Sequence, residues 1–182
     1  MSALIGTLVG NPRPASRTLN AALALREAIR RVVPGTENGA VVDAADLAQD
    51  LFTPGSTKVG EALADLERSN ILVIASPTYK ATYTGLLKSV LDQAPAGWLK
   101  GKTAIPLQVA ASDRHALAAE LHLRPVLVEL GAHIPGPAVF VPESALADHD
   151  ALIDGLVKLL TDNGTATVLE TLTAPRAAEV SR

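Results

Sequence analysis

The sequence predicts an α/β protein built on a doubly wound five-stranded parallel sheet with helices on both faces. Three observations carry that expectation. Strand-length apolar runs alternate with segments of helical periodicity along the first 160 of the 182 residues. One of these runs, "NILVIASP" at 70–77, is almost uninterrupted β-branched and aliphatic, as a central parallel strand covered on both faces requires. Polar and turn-forming residues cluster just after the runs, where folds of this kind bind ligands outside the carboxyl ends of their strands.

Taken in order, residues 3–9 ("ALIGTLV") read as a buried strand bounded by a turn cluster. Residues 16–33 place Leu19, Leu23, Leu25 and Ile29 near helical spacing, with Ser16 or Thr18 as N-cap and Pro34-Gly35 as the stop. A second strand is expected over 40–47. A helix follows over 57–69, where Val59, Ala62, Leu63 and Leu66 form one face. After the central strand come a helix over 84–94, a strand over 101–110, a helix over 115–132 interrupted by Pro125, a strand over 133–142 and a helix over 145–160. Five strands alternating with five helices imply right-handed βαβ crossovers. Pro106 argues against a regular central position for the fourth strand, because it cannot donate to a ladder. Residues 1–160 are therefore read as one domain. The tail, 161–182, has a weak apolar patch (Val168, Leu169, Leu172) but no helix-long pattern, and is expected to be mobile or to pack on a neighbouring subunit.

Composition removes several classes of function. Hydrophobic residues at 48% and charged residues at 19% describe a packed globular chain. A net charge of −3 with scattered basic residues gives no footprint for nucleic acid. The absence of cysteine excludes disulfides, thiolate catalysis and thiolate metal sites. The four histidines form no close metal motif, and nothing resembles the G-x-S-x-G nucleophile elbow. The apolar run near the N-terminus is too short to span a bilayer and lacks signal-peptide flanks, so no membrane association and a cytoplasmic location are expected. Aromatic residues are only 3%, so a planar ligand must be held mostly by aliphatic groups and backbone.

The chemistry is therefore expected on three loops. "GNPRPASRT" (10–18) joins a strand to a helix N-terminus, where unpaired N–H groups and the helix dipole favour an anion. Asn11, Ser16 and Thr18 add neutral donors, and Arg13 or Arg17 a charged one. The spacing suits a phosphate monoester and matches neither G-x-x-x-x-G-K-[ST] nor G-x-G-x-x-G. "SPTYKATYTG" (76–85) leaves the central strand through Pro77, and Thr78, Tyr79 and Lys80 offer backbone donors and one aromatic face to a flat heterocycle. "AASDRH" (110–115) follows the fourth strand. Asp43, Asp46 and Asp50 pair up in sequence, but their position at a strand end predicts a solvated surface. Trp98 is expected to anchor a core or an interface.

With "SPTYKATYTGLLKSVLDQAP" and "LRPVLVELGA", the first loop makes the chain resemble the NADPH-dependent FMN reductase family of flavodoxin-like proteins, especially the flavin reductase components of two-component alkanesulfonate monooxygenases. The resemblance spans about residues 3–142. It implies that Asn11, Arg13, Ser16 and Thr18, with Arg17 as a helper, hold the FMN phosphate. Pro77, Thr78, Tyr79 and Lys80 would line the isoalloxazine ring, and Ser112 and His115 match the third loop. Ala110 and Ala111 stand where the family often has glycines, and Asn11 where it usually has serine. Some members carry an aromatic residue in an extra-residue bulge before L-[RK]-P-V-L; Leu121 occupies that position here, beside His122, so the feature is expected to be absent or altered.

The implied activity is NAD(P)H-dependent reduction of FMN, with NADPH or NADH as donor. Reduced flavin would pass to a separate monooxygenase, and the protein would be a homodimer or homotetramer. No side chain need act as acid or base, since the cofactors carry the chemistry. Two alternatives share the same loops: a quinone, azo or chromate reductase that keeps FMN bound, and a flavodoxin-like electron carrier. The modest charge and the single candidate aromatic, Tyr79, weigh against the carrier.

Overall fold

A computed structural model describes residues 2–173. Five strands, β1 (Ala3–Val9), β2 (Thr36–Asp43), β3 (Ile71–Pro77), β4 (Thr103–Ala110) and β5 (Val139–Pro142), form one parallel sheet in the order β2-β1-β3-β4-β5. The chain leaves β1 towards one edge and returns to place β3 on its other side. The crevice at the carboxyl ends of β1 and β3 is thus the switch point of the sheet.

Alternation along the strands builds two cores. Val73 and Ala75 of β3, with Ile5, Val9, Leu107 and Val109, face α1 (Arg17–Val32), α5 (His149–Asp162) and α6 (Thr165–Thr173). Leu72 and Ile74, with Leu8 and Ala104, face α2 (Lys58–Glu67), α3 (Gly85–Leu91) and α4 (Arg124–Glu129). Every residue of β3 is buried, which is why its sequence carries no polar alternation. Trp98 belongs to the second core, and its indole N–H donates to the Leu63 carbonyl at 3.3 Å.

Several boundaries differ from expectation for identifiable reasons. β2 runs over Thr36–Asp43, not 40–47: Asp43 accepts from the Ala45 N–H and starts a 3-10 turn over Ala44–Leu47. β5 is four residues long. His133 makes only an isolated bridge to Thr103, and residues 134–138 leave the sheet through two prolines. That excursion explains Pro106. The Ala104 N–H points towards the β5 side, where it donates to the His133 carbonyl at 2.9 Å, so the missing donor of Pro106 faces the same side. Pairing with β5 resumes only at Leu107, and no acceptor is left waiting.

The segment expected as one helix over 115–132 divides into a 3-10 turn (Asp113–His115), a π-helical turn (Ala119–Leu123) and α4. Pro125 lies in the first turn of α4 and has no N–H to return to Leu121; the wider π turn removes the need for that bond. The bulge is therefore present and its aromatic residue is not, Leu121 standing 62% exposed in its place. The stretch read as lacking a helix forms α6, whose Leu169 is fully buried in the core shared with α1 and α5. The rest of the expected tail, 174–182, lies outside the described residues.

Candidate cofactor site at the carboxyl ends of the first and third strands

The loop after β1 is organised by side chains that the sequence offered as ligand donors. Asn11 is almost completely buried. Its Oδ1 accepts from the Arg13 N–H at 2.9 Å, folding the loop on itself, and its Nδ2 donates to Thr18 Oγ1 at 3.0 Å. Ser16 caps α1, its Oγ accepting from the Leu19 N–H at 3.2 Å. Both hydroxyls accept from the protein, so each keeps its own proton to donate outward.

Ala15 adopts φ +49° to bring the chain round into the helix. Its N–H is taken by Asp43 Oδ2 at 3.2 Å. Asp43 is therefore no solvated surface carboxylate: it bridges the first loop and the turn after β2. Burial pushes its carboxyl above the usual aspartate value, aided by Asp46 and opposed by the N–H groups of Ala45 and Ala15. The N–H groups of Ser16, Arg17 and Thr18 find no acceptor among the described residues. They are the orphan donors that every helix start leaves, here gathered at the mouth of a cleft.

That cleft, about 280 Å³, is bordered by Asn11, Arg13, Ser16, Arg17 and Thr18 on one side and by Pro77 and Tyr79 on the other. Seven of the eleven residues singled out from sequence thus share one cavity. Thr78 follows directly, its N–H tied to the Val109 carbonyl at 2.8 Å. Tyr79 and Thr82 exchange backbone hydrogen bonds around Lys80 (φ +52°) and Ala81 (φ +70°), a tight turn with both central residues left-handed. Tyr79 is 45% exposed at the cavity edge.

Thr78, Lys80, Ser112 and His115 do not border the cleft. Ser112 and His115 stand on the loop after β4, where Ser112 Oγ accepts from the Arg114 N–H at 3.3 Å and starts the 3-10 turn. Neither Ala110 nor Ala111 has a positive φ, so this backbone does not require the glycines that the family often places there.

Sequence reading missed two acidic residues here. Asp43 was read as part of a solvated surface, because its contact with the first loop is not encoded locally. Glu143, the first residue after β5, borders the cleft and pairs with Arg17, Oε2 to Nη2 at 3.0 Å. The rule that function follows strand ends would have reached it had it been applied to the loop after β5.

Residues 3–146 match the family model of NADPH-dependent FMN reductases. The chain is similar to the FMN reductase (NADPH) of Escherichia coli (strain K12), with 31% identity over 151 residues, 79% of this chain and 75% of that protein. It is also similar to the NADH-dependent FMN reductase SfnF of Pseudomonas putida, with 31% identity over 102 residues, 52% of this chain and 55% of that protein. Among solved structures, an NADH:FMN oxidoreductase (EMOB) in its apo form shares the fold with a TM-score of 0.78 and 28% identity, covering 97% of this chain and 92% of that one. The chain belongs to the NADPH-dependent FMN reductase family, and so to the flavodoxin-like oxidoreductases that use FMN with a nicotinamide nucleotide.

Proposed function

We propose that the cleft between the first loop and the end of β3 receives FMN, and that the protein delivers the reduced flavin to a separate monooxygenase. The observation that carries this reading is the set of uncommitted donors at the start of α1. Three backbone N–H groups without acceptors and the hydroxyls of Ser16 and Thr18 belong to residues that border one cavity, as do Arg13 and Arg17. A phosphate monoester supplies the acceptors that this set lacks.

When bound, FMN accepts hydride from NADPH or NADH and carries the electrons onward. The protein's part is to bind and to orient. Asn11 fixes the loop and the direction of the Thr18 hydroxyl; Arg13 and Arg17 supply charge. Pro77 and Tyr79 offer an apolar edge and one aromatic face to the ring, with Thr78 and Lys80 beside them and Ser112 and His115 on the neighbouring loop. A single half-exposed aromatic gives weak stacking, which favours flavin that exchanges with solvent over flavin held through many turnovers. Leu117, just before the π turn, Leu121 within it and Val128 of α4 are exposed, and support assembly as a homodimer or homotetramer. No helix among the described residues is long and apolar enough to cross a membrane.

The test is oxidation of NADPH and of NADH by the purified protein, with and without added FMN, alongside its visible spectrum. Oxidation that requires added FMN, by a nearly colourless protein, is the expected result. A yellow protein that turns over only with a quinone or dye would instead identify a bound-flavin reductase, and no turnover with either nucleotide an electron carrier. For the site itself, Arg13→Ala with Ser16→Ala should weaken FMN by about 30- to 100-fold and leave riboflavin nearly unchanged, since only FMN carries the phosphate. Equal losses for both flavins would remove the phosphate assignment.

A further inference from the structure

The geometry points to Glu143 as a latch that limits the affinity of the cleft for the phosphorylated flavin by holding Arg17. This rests on the reading of the cleft as an FMN site and adds to it a residue that opposes binding. Arg17 is the first residue of α1, beside the orphan N–H groups, and borders the same cleft. Its guanidinium is instead paired at 3.0 Å with Glu143, the first residue of the 3-10 turn that follows β5. Both side chains remain solvated, 67% and 38% exposed, so the pair is weak and can be exchanged for another anion.

Charge defines the consequence. The cleft is bordered by two guanidinium groups, Arg13 and Arg17, and one carboxylate, Glu143. A phosphate monoester brings a charge of about −2 near neutral pH. With Glu143 ionised the occupied cleft carries a net negative charge; without it the two arginines balance the phosphate. The phosphate must also win Arg17 away from an existing partner. Oxidised and reduced FMN carry the same phosphate, so the latch weakens both alike and speeds departure of the product. A protein that retained its flavin would gain nothing from a carboxylate at this position.

The experiment is titration of Glu143→Gln with FMN and with riboflavin, in the wild-type background and in Arg17→Ala, with thermal melts to establish that each variant is folded. Glu143→Gln should tighten FMN by about three- to tenfold at low salt, less as salt is raised, and leave riboflavin unchanged. In Arg17→Ala the same substitution should give a smaller gain, because only the repulsion between Glu143 and the phosphate is then relieved. Unchanged or weaker FMN binding in Glu143→Gln overturns the latch, and so does a gain that persists in full without Arg17, which would make Glu143 a simple repulsive charge. The variant with Arg13→Ala and Ser16→Ala separates the two levels of the argument. If that double substitution weakens FMN far more than riboflavin while Glu143→Gln has no effect, the site stands and the latch fails; if it weakens both flavins equally, the site itself fails.

Discussion

The Thr84 hydroxyl donates to the carbonyl oxygen of Gly10, tying the start of α3 to the point where the chain leaves β1. The same Oγ accepts from the Leu87 N–H at 3.1 Å as the N-cap of α3, and the Thr84 N–H is held by Ser76 Oγ at 3.0 Å. Three elements at the switch point, the ends of β1 and β3 and the start of α3, are thereby locked in one buried network. Gly10 fits because it has no side chain: a Cβ there would come within 2.2 Å of Leu87 Cβ.

Thr84→Val removes the cap and leaves the Gly10 carbonyl buried without its donor, at a cost of about 2–4 kcal/mol. Thr84→Ser keeps the hydroxyl and should cost less than about 1 kcal/mol, mainly the lost methyl. Urea denaturation of the three proteins distinguishes them. Similar midpoints for the valine and serine variants would mean that packing, not the hydrogen bonds, holds this junction.

Two aspartates near the same end of the sheet should give stability profiles of opposite slope. Burial raises the Asp43 carboxyl above 3.8, so the folded state takes up its proton more readily than the unfolded chain, and the contribution of Asp43 falls as pH rises through the window above the unfolded value. Asp50 is lowered from 3.8 by its hydrogen bonds from Lys58 and Ser56, so its contribution is complete above the unfolded value and is lost as pH falls below it. The stability deficit of Asp43→Asn relative to wild type should therefore be greater near pH 4 than near neutrality, and that of Asp50→Asn greater near neutrality than near about pH 3. Denaturant unfolding across this range checks both signs.

Asp43 and Glu143 also mark what the sequence could and could not reveal. The sheet was legible because burial on both faces leaves β3 no freedom to be polar, and because Ser16 and Pro34-Gly35 punctuate α1 by local chemistry. The first loop and the end of β3 were legible for the same local reason. Asp43 was not, since its partner Ala15 is 28 residues away and no spacing encodes that contact. Glu143 was missed through a contact far more distant in sequence, its pairing with Arg17 depending on how the β5 edge and α1 meet. Pro106 looked anomalous until the excursion at 134–138 was seen, and α6 was overlooked because it docks through Thr165, Ala166 and Leu169, without an extended apolar stripe.

That excursion is itself held by a clamp from the π turn. Glu120, inside the turn, accepts from the Ala138 N–H at 2.8 Å, while Arg124, the first residue of α4, donates to the Gly136 carbonyl at 2.7 Å and pairs with Glu120 at 3.3 Å. Gly136 admits the close approach of α6: a Cβ would meet Thr165 Oγ1 at 2.0 Å. The clamp therefore links the π turn to the residues that deliver the chain into β5 and on to Glu143. Arg124→Met keeps the aliphatic stem and removes the anchor of the loop, so a loss of about 1–3 kcal/mol is expected, with faster amide exchange at Ala138. Glu120→Gln retains an acceptor for Ala138 and should leave its exchange slow even though the ion pair is gone. If Ala138 exchanges at the wild-type rate in Arg124→Met, the two prolines alone hold the excursion and the π turn is not coupled to β5 through these side chains.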